Sequence, residues 1–168
     1  MASRTLISVE EYLRTSYRPD CDYVDGEVVE RNVGELSHAR VQKSTLLHFA
    51  KRELEWGIEA IQELRVQVKP GRFRIPDVCV VLGRATEEIL TKPPFLCIEV
   101  LSPEDRMSRV EERVDDYLAM GVPYTWVLDP KTKRAWSITP AEGWREEKSG
   151  ILRTANPALE VPLGEIFA

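Results

Sequence analysis

Arg74-Ile75-Pro76-Asp77-Val78-Cys79-Val80-Val81, answered downstream by Phe95-Leu96-Cys97-Ile98-Glu99-Val100-Leu101-Ser102, decides how this chain is read. Both stretches are apolar and rich in β-branched residues, and they predict strands around 75–82 and 95–101. Each is interrupted by one carboxylate. An ionised carboxylate in a strand covered on both faces is costly unless it is paired or binds a metal, so two of them point to a shared cation. Residues 83–94, with Gly83, Pro93 and Pro94, read as the loop between the strands. If the strands are antiparallel neighbours whose ends frame that loop evenly, Asp77 faces Glu99 on one side of the sheet, with Cβ atoms roughly 4.5–5.5 Å apart. A slip of one residue would send the two to opposite faces. The same register sets Cys79 opposite Cys97, expected as two reduced buried thiols rather than a disulfide.

Outward from this pair, the remaining segments alternate between helix and strand. Ser8-Val9-Glu10-Glu11 is a capping-box pattern that opens a short helix ending near Ser16. Asp25-Gly26 lies between alternating apolar residues and signals a hairpin. Residues 35–55 lack Pro and Gly and predict a long helix stopped by Gly57. Strands are expected at 58–62 and 64–69, followed by a Pro70-Gly71 turn. Met107, Val110, Val114, Tyr117 and Leu118 form a helical stripe over 106–120, closed by Gly121. Pro123 to Leu128 is the next strand, with further strands near 133–138 and 143–148 and a short terminal helix. The expected fold is α/β bordering on α+β, a mixed central sheet flanked by helices, with residues 1–168 as a single domain.

Composition sets the limits. The chain has 168 residues, 43% of them hydrophobic and 30% charged, with a net charge of −5. That acidic balance argues against a non-specific nucleic-acid coating protein. It leaves open an enzyme that brings a divalent cation to a phosphodiester, because the cation supplies local positive charge. No apolar run reaches the length of a membrane span, and the N-terminus lacks a signal-peptide core. Cys21, Cys79 and Cys97 show no Cys-x-x-Cys spacing. A cytoplasmic, reduced protein without membrane association is the expectation. With only His38 and His48 in the chain, a histidine-rich metal site is excluded.

Pro76-Asp77 heading one strand and Glu99 on its neighbour resemble the PD-(D/E)XK nuclease superfamily. More narrowly, the chain is similar to a small bacterial restriction-endonuclease family (Uma2-like) long catalogued as a domain of unknown function. The resemblance rests on Tyr23-Val24-Asp25-Gly26-Glu27, His38, Pro76-Asp77-Val78-Cys79-Val80-Val81, Ile98-Glu99-Val100-Leu101-Ser102-Pro103, Asp105-Arg106, Tyr117-Leu118-Ala119-Met120-Gly121-Val122 and Trp126-Val127-Leu128-Asp129-Pro130. It covers about Ser8 to Phe167.

The resemblance implies a restriction-endonuclease-like fold and a Mg²⁺-dependent endodeoxyribonuclease, with Mn²⁺ as the alternative ion. Asp77 and Glu99 would ligate the metal, helped by the backbone carbonyl of Val100, and DNA would be the substrate. A homodimer follows from the two strands of a duplex needing two sites. The superfamily lysine two residues after the glutamate is replaced by Leu101. Its counterpart in this family lies one helical turn before the tyrosine, where this chain has Arg113, four residues before Tyr117. Arginine can hold a water or offset phosphate charge, but it cannot accept a proton.

His38 matches a family position, and a helix-capping or hydrogen-bonded role is expected ahead of a catalytic one. Asp22 or Glu27 would be a third acidic group. Asp105 is expected to cap the helix after the second strand or to orient Arg106. Trp126, Trp136 and Trp144 are expected in the core or at an interface. The alternatives are a catalytically inactive nuclease fold acting as a metal- or nucleic-acid-binding regulatory module, and a two-carboxylate hydrolase such as a glycosidase.

Overall fold

A computed structural model describes residues 5–168. Ser8 caps α1 (Val9–Arg14), its hydroxyl accepting a hydrogen bond from the Glu11 N–H at 3.1 Å. β1 (Cys21–Val24) and β2 (Glu27–Glu30) form the hairpin expected at Asp25-Gly26. Both turn residues have positive φ, 49° and 98°, which this dipeptide tolerates better than most. The helix expected over 35–55 is divided. α2 (Leu36–Ala50) ends after 15 residues, and α3 (Glu53–Trp56) is a separate turn closed by Gly57 at φ 64°. β3 (Ile58–Gln62), β4 (Val66–Lys69) and β5 (Arg72–Arg74) follow.

The strand expected over 75–82 begins only at Val78. Pro76 has no N–H to give to a ladder. β5 ends at Arg74, paired with β1 and β4, while β6 (Val78–Leu82) begins at Val78 in a different sheet. Asp77 therefore stands at the head of a strand rather than within one. β7 (Leu96–Val100), α4 (Met107–Met120), β8 (Tyr124–Asp129), β9 (Arg134–Thr139) and β10 (Gly143–Glu146) follow close to expectation. The tail adds an unforeseen hairpin of β11 (Ile151–Arg153) and β12 (Glu160–Pro162) before α5 (Leu163–Ile166).

The fold is α+β, built on a six-stranded sheet of order β10-β9-β8-β7-β6-β3 and a four-stranded sheet of order β2-β1-β5-β4. β6 and β7 are antiparallel, pairing Val78 with Ile98, Cys79 with Cys97 and Val80 with Leu96. This is the register inferred from the loop, and one residue further it sets Asp77 against Glu99. The facing thiols are free. β7 and β8 are parallel, with α4 as their crossover.

The pleat sorts the side chains of these strands by parity. Val78, Val80, Leu96, Ile98, Trp126 and Leu128 pack with Val41 and Phe49 of α2. Cys79 and Cys97 pack with Tyr117 of α4, and Val127 packs with Val110 and Val114. α4 is thus held between the two sheets, because Tyr117 also meets Val66 and Val68 of β4. Val110, Val114 and Tyr117 are completely buried, each contributing about 1.5–3 kcal/mol of hydrophobic stabilisation. Met107, at the start of the expected stripe, is exposed instead. Among the described residues, no helix is long and apolar enough to cross a membrane.

Candidate active site

The site lies where β6 begins, β7 ends, and the start of α2 and the middle of α4 converge. Asp77 is 3% exposed and Glu99 2%. Water solvates neither, so protein donors must. Asp77 Oδ2 accepts the Val100 N–H at 2.7 Å, which ties it to the residue beside Glu99. Asp77 Oδ1 accepts from Arg31 Nη2 at 2.9 Å and lies 3.5 Å from His38 Nε2. Glu99 Oε1 accepts from the Tyr117 hydroxyl at 2.6 Å, and Arg113 Nε stands 3.3 Å from Glu99 Oε2. Arg113 and Tyr117, one helical turn apart, thus meet the same carboxylate, as their spacing requires.

The two carboxyls respond oppositely to burial. Burial works to raise both. At Asp77 the His38 contact, the Arg31 charge and the Val100 hydrogen bond outweigh it, and the group is held below the usual carboxylate range. At Glu99 burial prevails, reinforced by the charge on Asp77 and only partly opposed by Arg113 and Arg31, and the carboxyl is pushed up to about 7. Burial and the Glu99 charge together push the Tyr117 hydroxyl well up, so it remains a donor. Arg113 makes ion pairs with Glu99 and, at 3.6 Å, with Asp105, yet no hydrogen bond among the described residues. Its Nε is buried without a hydrogen-bond partner.

The remaining sequence candidates fall into two groups. His38 belongs here, reaching Asp77 from the first turn of α2; it does not cap the helix, whose capping position is Glu35. Asp105 also belongs here, but as the clasp of a loop rather than a helix cap. Its Oδ2 accepts from Ser102 N at 2.7 Å and Ser102 Oγ at 3.0 Å, and the helix capping position falls to Arg106. Asp105 does not pair with Arg106; its partners are Asn32 and Arg113.

Asp22 is engaged elsewhere. It accepts from Arg74 Nη1 at 3.1 Å and Ile75 N at 3.2 Å, inside a buried cluster in which Arg74 also bonds Asp116 at 2.7 Å. Glu27 lines a cavity near these groups. Trp126 is in the core, whereas Trp144 is 37% exposed.

Three residues of the site carry no motif. Arg31 and Asn32, just after β2, cross the strand ends, with Arg31 on Asp77 and Asn32 Nδ2 bonding Asp105 Oδ1 at 3.0 Å. Gln42 holds the backbone carbonyl of Asp77 at 3.1 Å. Arg31 and Asn32 also form the wall between two cavities. One, of about 270 Å³, is lined by Asp22, Arg74, Asp105, Arg109 and Arg113. The other, of about 650 Å³, is lined by His38, Gln42, Glu63 and Asp77. Glu99 lines neither.

The donor set suits a hard divalent cation. Asp77, Glu99 and the Val100 carbonyl offer only oxygen, the ligand type Mg²⁺ and Mn²⁺ prefer. Among the described residues no group of three or more His, Cys, Asp or Glu could hold an ion. The protein's share would be two carboxylates, as in Mg²⁺ sites completed by water and substrate phosphates.

A crystal structure described as "a putative nuclease belonging to DUF820 from Anabaena variabilis ATCC 29413" superposes with a TM-score of 0.81 at 19% identity, covering 96% of this chain and 97% of that one. No curated protein matches. The sequence profile of the family Uma2, described as "Putative restriction endonuclease", matches residues 9–165. That span runs from the first residue of α1 into α5 and takes in both carboxylates, His38 and the α4 pair; the chain belongs to the Uma2 family.

Proposed function

We propose that the protein is a divalent-metal-dependent endonuclease that hydrolyses DNA phosphodiester bonds at the Asp77–Glu99 site. The observation that carries this reading is the pairing of two buried carboxylates across neighbouring antiparallel strands, with a guanidinium fixed beside one of them. Membership of a family described as restriction endonucleases supports it. Asp77, Glu99 and the Val100 carbonyl are the residues that would hold Mg²⁺ or Mn²⁺. When bound, the cation supplies Lewis-acid polarisation of the phosphate and lowers the pKa of an attacking water.

The other groups hold these in place. The Tyr117 hydroxyl fixes the Glu99 rotamer, His38 and the Val100 N–H fix Asp77, and Asp105 steadies Arg113. Arg113, with donors unspent, neutralises phosphate charge and orients water through hydrogen bonds. It takes no proton, because its guanidinium stays charged at every accessible pH. A homodimer would present one site to each strand of a duplex.

One observation favours a second reading. Leu101 and Arg113 occupy the positions at which the resemblance expects lysine, which fits an inactive nuclease fold that binds metal or nucleic acid. Incubating supercoiled plasmid with the protein and Mg²⁺ or Mn²⁺, beside Asp77→Ala and Glu99→Ala, separates the two. The nuclease reading predicts nicked and linear products from the wild type, none from either variant, and full suppression by EDTA. Cleavage that survives both substitutions refutes the site. No cleavage, with metal binding intact, establishes the inactive module.

A further inference from the structure

We propose that Arg31 is a substrate-phosphate ligand, an ion pair that changes partner: it rests on Asp77 in the free protein and moves to a non-bridging phosphate oxygen when DNA enters. The inference rests on the nuclease reading and adds to it a residue that no motif marks. Arg31 spends one of its five N–H donors on Asp77, through Nη2 at 2.9 Å. Among the described residues its Nε and Nη1 make no hydrogen bond and are not buried, and Arg31 lines both cavities.

Arg74 differs, because its guanidinium is consumed by Asp22, Asp116 and Glu112. Arg113 borders the same smaller cavity with no hydrogen bond, and Arg109, one helical turn earlier on α4, is exposed there without a partner among the described residues. Arg31 and Arg113 thus flank the carboxylate pair, one against Asp77 and one against Glu99, with donors left for an anion. A phosphate bridging two guanidiniums is a strong, geometrically matched interaction.

The resting position has a second consequence. Arg31 neutralises Asp77 and occupies its Oδ1, so it competes with a metal for that oxygen. Its transfer to the phosphate frees Asp77 Oδ1 for the cation. Substrate and metal would then bind with positive coupling, each removing an obstacle to the other.

Two binding measurements on the full chain test this. Fluorescence anisotropy of a labelled DNA duplex is followed in EDTA over a range of salt concentrations, and Mn²⁺ is titrated calorimetrically without DNA. For Arg31→Met, DNA affinity should fall about ten-fold at low salt, and the slope of log affinity against log salt should become shallower by about one. Mn²⁺ should bind that variant more tightly, by about three- to ten-fold, because a competing charge is gone. Arg31→Gln, neutral but still able to donate to Asp77, carries the same salt-slope reading if Arg31→Met does not fold.

An unchanged DNA affinity and slope overturns the role of Arg31. Weaker Mn²⁺ binding overturns it too, since it would show Arg31 to be a prop for Asp77. A wild type that binds no duplex in EDTA overturns the DNA reading along with it, which keeps the two failures distinct.

Discussion

Arg113 is the residue on which the proposed catalysis turns, and its substitutions separate charge from shape. Arg113→Met strips Glu99 of its cation and should lower plasmid cleavage by about 10²–10³, the usual loss for one charge-stabilising donor. Arg113→Lys restores a positive charge at the position where the resemblance places lysine, and should cleave at least as fast as the wild type in the same assay. Arg74 is more deeply buried and does different work. Its partners Asp22 and Asp116 are left uncompensated in Arg74→Met, so urea unfolding should show a loss of about 3–5 kcal/mol. Asp77, Glu99 and Arg113 were legible because each sits in a local pattern, a carboxylate in an apolar strand or a residue one turn from a tyrosine. Arg31 was not, because its contact with Asp77 spans 46 residues and depends on two sheets meeting. Asp105 was misread for a related reason. Its Ser102 partner is only three residues away, but the loop that turns it inward is held by Asn32 from another element.

The register of β6 against β7 is the element-level fact from which the site follows, and the loop boundaries alone were enough to infer it. The break before β6 was harder to see. Ile75 and Pro76 look like strand, yet the missing proline N–H and the demand of two separate sheets end one strand at Arg74 and start another at Val78. A second element contact carries a pH dependence. His48 on α2 meets Glu165 on α5 at 2.7 Å and Arg52 at 3.3 Å. Burial, followed by the Arg52 charge, holds its pKa below the ordinary histidine value. The unfolded chain therefore takes up the proton first. Stability is fully present above about pH 6.5 and declines as pH falls below it. Urea midpoints measured between pH 7.5 and pH 5.5 should fall more for the wild type than for His48→Gln. At the other end of the chain, Ser8→Ala removes the α1 cap and should cost about 1 kcal/mol in the same measurement.

For the whole molecule, an acidic chain with a net charge of −5 presents a pocket in which Arg31, Arg109 and Arg113 stand among Asp22, Glu27, Glu30, Asp105 and Glu112. Attraction for DNA would thus rest on these few arginines, and affinity should fall with salt by a slope set by the phosphates they contact. α4, held between the two sheets, is the piece that joins fold to chemistry: one face closes the core through Val110 and Val114, and its flank delivers Arg113 and Tyr117 to Glu99. A mixed central sheet with flanking helices, α/β bordering on α+β, could be read from the order of elements, whereas the second sheet could not, because β5 is three residues long and carries two arginines. The central claim is that Asp77 and Glu99 share one cation. Calorimetric titration of Mn²⁺ into the wild type and into Glu99→Gln tests it most directly. One ion per chain in the wild type, with affinity reduced at least about ten-fold in Glu99→Gln, is the predicted result; equal Mn²⁺ affinity in the two proteins would contradict it.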